Sequence, residues 1–171
     1  MTKLDRSTTY PLGPALEFLQ RLWQLNHALE TLSINMDRRI GVTAQQRLMV
    51  RCLGKYPGIS AGPLATILHV DPGTISAALR RLEQKGLVER RTDPRDQRRA
   101  LLGLTAKGRA LDSAAPGTVE NAVERLLAHE SSVDLNATVH VLEHLTAHLA
   151  DELREPSEIR RRKRKPHLRV R

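Results

Sequence analysis

The chain has 171 residues, 40% of them hydrophobic but only 2% aromatic, and a formal net charge of +9. That is enough for one domain with tails, packed mainly by Leu and Ala, which favours helices, and the positive balance points to an anionic partner. The single cysteine, Cys52, excludes an intramolecular disulfide and a Cys-pair metal site, and the absence of an apolar signal core or of any run near the roughly 18 apolar residues of a membrane span predicts a soluble cytoplasmic protein.

The positive charge sits in two places. Residues 154–171 hold nine Lys/Arg and two Glu, and residues 71–109 hold ten Lys/Arg and five Asp/Glu, so the remainder of the chain is net acidic.

In chain order, residues 1–10 are polar and read as a flexible N-terminus. Pro11-Leu-Gly-Pro14 opens a helical stretch over 12–35, with Leu16, Leu19, Leu22, Trp23, Leu25, Leu29 and Leu32 at helical spacing. They cover more than one narrow stripe, as expected of a helix that packs against its own domain and against a second subunit. Thr43 and Gln46 form a capping box for the next helix. Its apolar face is predicted as Leu48, Met49, Cys52, Leu53 and Tyr56, with Arg47 and Arg51 on the other side, and Tyr56-Pro57-Gly58 ends it. Ser60 caps a short helix that buries Leu64, Ile67 and Leu68.

Asp71 caps the helix that follows, with Pro72 at its first position. On a helical wheel Ile75, Leu79 and Leu82 fall together within about 40°, and Gly73, Ala77, Arg80 and Gln84 point the opposite way, flanked by Ser76 and Arg81. Gly86 stops the helix. Residues 87–91 and 99–104 read as strands around an Asp93-Pro94 turn, with Ala100, Leu102 and Leu104 on one face. Thr105 caps a short helix to Leu111, Pro116-Gly117 interrupts it before 119–128, and a final helix runs from about Asp134 to Arg154. In that helix Leu135, Val139, Leu142, Leu149 and Leu153 make a near-heptad seam suited to subunit pairing. The basic block Arg160–Lys165 should not fold alone.

A helix followed at once by a basic hairpin is how a winged helix-turn-helix meets DNA. Val42-Thr-Ala-Gln-Gln46, the run from Leu79 to Arg90, and Asp93-Pro-Arg-Asp-Gln-Arg98 leading into Leu101–Arg109 resemble the MarR family (multiple antibiotic resistance regulators). The resemblance covers residues 11–153 and implies a mainly α fold with a small β-hairpin wing. Residues 60–85 would be the helix-turn-helix, 87–104 the wing, and 12–35 with 105–153 the dimerisation helices. The basic tail 154–171 lies outside the pattern. The implied function is a sequence-specific transcriptional regulator in the bacterial cytoplasm, associated with the nucleoid. It would be a homodimeric repressor on a pseudo-palindromic operator in double-stranded DNA, released by a small effector of aromatic or phenolic type.

The expected DNA-binding residues are Thr74, Ser76, Ala77, Arg80 and Arg81 on the helix and Arg95, Asp96 and Arg98 on the wing. Small groups at Gly73, Thr74 and Ala77 let a helix approach base edges, and the Thr74 or Ala77 methyl can touch a thymine methyl. Family members often have Arg where this chain has Ala77, which shifts weight to Arg80 and Arg81. An exposed Arg pair alone would read as a solvated helix face; the adjoining wing tips the balance to DNA. In the wing the family pattern has Asp96 orient Arg98 into the minor groove, where a narrow groove attracts a guanidinium. The same acids could instead only pin the turn. Arg90, Arg91 and Arg99 suit phosphates rather than bases.

The other candidates carry less. Trp23, His27, Arg47 and Tyr56 are the residues expected at an effector site between dimerisation helices and DNA-binding lobe. His140, His144 and His148 recur every fourth residue but lack visible partners for a metal shell, so no metal and no cofactor is expected. Cys52 reads as a structural thiol rather than a redox sensor. There is no phosphate-binding loop, dinucleotide fingerprint or nucleophile elbow, so the chain is not expected to be an enzyme. The rival is an architectural protein that coats DNA through wing and tail, separable by competition with bulk DNA.

Overall fold

The computed structural model describes residues 12–154. The elements run α1 (Pro14–Ile40), α2 (Ala44–Lys55), α3 (Ala61–Leu68), α4 (Pro72–Gln84), β1 (Val88–Asp93), β2 (Asp96–Leu104), α5 (Ala106–Leu111), α6 (Val119–Leu127) and α7 (Ser132–Arg154). One compact unit extends to Val123 and a second begins at Glu124. The expectations for residues 1–10 and for the basic tail beyond Arg154 fall outside the described residues.

The first unit is built on one core. Val42, Met49, Val50, Leu53, Leu64, Ile75, Leu79, Leu82, Leu87, Val88, Leu102 and Leu104 are buried together. Each such side chain contributes roughly 1.5–3 kcal/mol on burial. The hairpin is antiparallel, with Val88 opposite Leu104, Arg90 opposite Leu102 and an irregularity between Thr92 and Asp93. It docks on the turn after α2, where Gly58 N–H donates to the Leu102 carbonyl at 2.9 Å and Leu102 N–H donates to Ile59 at 3.0 Å.

Local chemistry accounts for the helix ends. Thr43 and Gln46 make the full capping box, and Thr105 accepts from Gly108 N–H at 3.1 Å to start α5. Ser60 precedes α3 but its side chain makes no capping bond. Gly86 follows the α4 C-cap Lys85 with φ 68°, the left-handed turn that glycine adopts at little cost.

Four boundaries and faces differ from the sequence expectation. First, α1 continues past Asn35 to Ile40, burying Met36, because nothing breaks the helix before Gly41 takes φ 75°. Second, the phase of α2 is set by Gln46, Met49, Val50 and Leu53, so Arg47 is buried and Leu48 and Tyr56 are exposed. Third, α3 buries Leu64 and Ala65 and leaves Ile67 exposed. Fourth, the strands reach further than 87–91 and 99–104, because a two-stranded ribbon needs backbone pairing and no apolar alternation at its tip.

In the second unit α7 is preceded by Ser131, whose hydroxyl caps it by accepting from Asp134 N–H at 3.2 Å. Along it Val139, Val141, Leu142, Leu149 and Leu153 are exposed.

Candidate nucleic-acid interface

The scaffold for the site is α4. Its inner face, Ile75, Ala78, Leu79 and Leu82, is buried, which fixes the direction of the outer face. Asp71 holds the N-terminus: its carboxylate accepts from Thr74 N–H at 2.9 Å and from the Thr74 hydroxyl. Those bonds, the hydroxyl first, hold the Asp71 carboxyl below the usual carboxylate range. They also commit the Thr74 hydroxyl proton, so Thr74 offers its methyl group and a lone pair to any partner. Outward stand Gly73, Thr74, Ala77, Arg80, Arg81 and Gln84, all exposed, with Ser76 half-buried. Arg80 is drawn back along the helix, its Nε donating to the Ser76 carbonyl at 3.4 Å.

The hairpin tip is pinned from within. Asp93 Oδ1 accepts from Arg95 N–H at 2.9 Å, and Asp96 Oδ1 accepts from Arg98 N–H at 3.0 Å. Of the two readings open for Asp96, the contact seen is the one that pins the turn: its carboxylate grips the Arg98 main chain. A short Asp side chain in a tight turn reaches the amide two residues on before it reaches anything else. The guanidinium groups of Arg95, Arg98 and Arg99 are exposed and have no hydrogen-bond or ion-pair partner among the described residues.

The stem differs from the tip. Arg90 pairs with Glu83 of α4, and Arg91 pairs with Glu89 at 2.6 Å. These two arginines, expected to meet phosphates, are already neutralised within the chain. The Arg90–Glu83 pair joins the stem to α4.

Sequence reasoning missed Lys85. Its Nζ donates to the Gly41 carbonyl at 2.7 Å, to Gln46 Oε1 at 3.1 Å and to Asp37 Oδ1 at 3.4 Å. One lysine at the end of α4 thus ties it to the end of α1 and the start of α2. Lysine in the last helical turn is the only local signal, and it does not reveal distant partners.

The four residues expected at an effector site do not share one environment. Trp23 and His27 are exposed on α1, and Tyr56 is exposed with the Lys55 ammonium 5.7 Å from its ring centroid. Arg47 is 1% exposed and fully engaged. Its Nε pairs with Glu120, Nη1 donates to the Leu111 carbonyl at 2.6 Å and Nη2 to the Ser113 carbonyl at 2.7 Å. Its assignment to the solvent side of α2 is corrected, because those partners lie more than 60 residues further on.

Cys52 is half-buried, and burial pushes its thiol up while Lys55 pulls the other way. A thiol raised in this way is protonated at neutral pH and a poor nucleophile. The His140 and His144 rings lie 4.1 Å apart at 50°. Among the described residues no group of three or more His, Cys, Asp or Glu is placed to hold a metal. No described helix is long and apolar enough to cross a membrane.

Comparison with known proteins places this geometry in context. The model of the MarR family matches residues 42–100. An HTH-type transcriptional repressor of Mycobacterium bovis is 33% identical over 106 residues, 62% of this chain and 76% of that protein. The homoprotocatechuate degradative operon repressor of Escherichia coli is 30% identical, covering 64% of this chain and 74% of its own. Among solved structures, FabT of Streptococcus pneumoniae in complex with DNA superposes with a TM-score of 0.57 at 25% identity, over 80% of this chain and 96% of that one.

Proposed function

The chain belongs to the MarR family of DNA-binding transcriptional regulators, and we propose that it acts as a homodimeric repressor on a pseudo-palindromic operator. In this reading α4 enters the major groove with Gly73, Thr74 and Ala77 against base edges. Arg80 and Arg81 serve guanine or phosphate, and Arg98 enters the minor groove with Arg95 beside it.

The observation that carries the reading is the contrast within the hairpin. At the stem the arginines are paired, and at the tip Arg95, Arg98 and Arg99 project with no partner among the described residues. Three unpaired guanidinium groups on a narrow ribbon form a local positive field of the kind that a narrow groove draws in. The small outer face of α4 supports close approach in the neighbouring major groove. The repressor names of the two relatives support the sign of regulation, and the FabT complex supports duplex DNA as the partner.

Dimerisation is supported by the exposed apolar residues of α1 and, separately, of α7. A soluble chain rarely leaves so many Leu and Val side chains in water without a partner surface.

Selection of bound fragments from random duplexes, using the full chain at fixed salt and excess competitor DNA, tests the proposal. The expected result is one enriched motif made of two inverted half-sites about one helical turn apart. Enrichment without any motif would overturn it in favour of coating without sequence preference.

A further inference from the structure

His140 and His144 stand one helical turn apart on α7, and their rings approach with centroids 4.1 Å apart and planes at 50°. Residues four apart on a helix are surface neighbours, so the spacing itself brings the two imidazoles together. Both side chains are exposed. Their ring nitrogens have no hydrogen-bond or ion-pair partner among the described residues. Each neutral ring therefore keeps a nitrogen lone pair open to solvent.

Two nitrogens bound to one zinc ion at about 2.0–2.1 Å lie roughly 3 Å from each other. Rings with centroids 4.1 Å apart reach that separation by turning about the bond that joins ring to chain. His148 continues the row and is also exposed, but it lies about 12 Å along the helix axis from His140, too far for one ion to hold both. On a helical wheel the three histidines point roughly 160–240° away from Leu142. Leu149 and Leu153, also exposed, share the Leu142 side, so a cover over that apolar stripe leaves the histidine row in solvent.

We infer that His140 and His144 chelate one divalent transition-metal ion of the zinc, nickel or copper type, with water in the remaining positions. Imidazole suits these ions, whereas magnesium prefers oxygen ligands and its own water. The sequence expectation of no metal rests on the lack of a third protein ligand, and among the described residues none is placed beside the pair. The site is therefore a two-ligand clip, open on its solvent side, and not a closed four-ligand centre. The clip needs helical spacing, so the ion stabilises the helical form of this turn of α7. No residue assigned to the DNA interface takes part, and the inference stands apart from the operator reading.

The probe is Zn2+, titrated into the full chain without any affinity tag. Calorimetry gives the affinity, and imidazole NMR signals identify the ligands. The expected result is that the tightest Zn2+ site moves the ring signals of His140 and His144 together and leaves His27 and His148 in place, and that Mg2+ moves none of them. His140→Ala and His144→Ala should each weaken that site at least tenfold, and His148→Ala should retain it. Both positions are exposed and alanine favours a helix, so the variants keep α7. Zn2+ should also slow hydrogen exchange at the Leu145 amide in the parent and not in His140→Ala. Parent-like affinity in His140→Ala or His144→Ala would overturn the assignment, since a single imidazole would then suffice. So would loss of the site in His148→Ala, or Zn2+ shifts confined to other histidines.

Discussion

In α4 the apolar side chains Ile75, Ala78, Leu79 and Leu82 are buried in the chain's own core, whereas in α7 Val139, Leu142, Leu149 and Leu153 are 42–82% exposed. Both patterns are apolar residues at helical spacing. Periodicity says which residues of a helix face the same way, but not whether the covering surface belongs to the same chain. The lobe around α4 buries its core within the chain and caps α2 and α4 from its own residues, with Leu48, Tyr56 and Ile67 left exposed. The exposed stripes of α7 and α1 have no such cover among the described residues.

The strongest way to break that comparison is to open the closed side. Arg47→Ala would leave Glu120 and the carbonyls of Leu111 and Ser113 without their donor. Breaking a buried pair costs about 3–5 kcal/mol; with Glu120 a quarter exposed, the low end is expected in urea unfolding at fixed protein concentration. A cost below about 1 kcal/mol would mean that the buried guanidinium is not structural.

Next comes the open side. Leu142→Glu with Leu149→Glu should shift sedimentation from dimer to monomer while helical content is retained. An unchanged sedimentation profile would show α7 to be a solvated surface, and the contrast with α4 would lose its meaning.

Arg98→Ala sharpens the comparison, because it touches neither core nor subunit surface. Operator binding should fall roughly ten- to a hundredfold, as for loss of a charge-assisted hydrogen bond of about 1.5–3 kcal/mol. Thermal stability should hold within about 0.5 kcal/mol. Unchanged affinity at fixed salt would move the minor-groove role away from Arg98.

The smallest effect is expected at Asp71→Ala. The Asp71 carboxyl is lowered in the folded chain, so its contribution is complete above the ordinary carboxylate pKa of about 4. It is lost as the pH falls through the lowered value. The thermal midpoints of parent and variant should differ slightly at neutral pH and converge in acid. A difference that persists at pH 2 would assign the effect to something other than the charged cap.

Local features were legible in the sequence. The capping box at Thr43 and Gln46, the cap at Asp71, the glycine stop at Gly86 and the inner face of α4 each depend on residues within one or two helical turns. The features that were not legible depend on partners far along the chain. Arg47 looks solvent-facing on a wheel and is buried because Leu111, Ser113 and Glu120 supply acceptors from another segment. Lys85 looks like a surface lysine and bridges three elements. In the hairpin, spacing correctly brings Asp96 and Arg98 together, but only geometry shows that the carboxylate takes the amide. The end of α1 was placed too early because apolar periodicity fades before the helix does.

Arg39, Arg47 and Arg51 together donate to the main-chain carbonyls of Leu111, Asp112, Ser113, Pro116 and Gly117. Every residue type carries a carbonyl. At Ser113 and Pro116 the arginine grip falls on the main chain alone and is nearly blind to the side chain, whereas Leu111 packs on the core, Asp112 also pairs with Arg51, and Gly117 takes φ 69° where a Cβ would overlap Arg39. The constraint falls also on the three arginines and on Gly54, where a Cβ would overlap the Asp112 carboxylate. Among relatives, variation should therefore collect at positions such as Ser113 and Pro116, and invariance in the three arginines, Gly54 and Gly117.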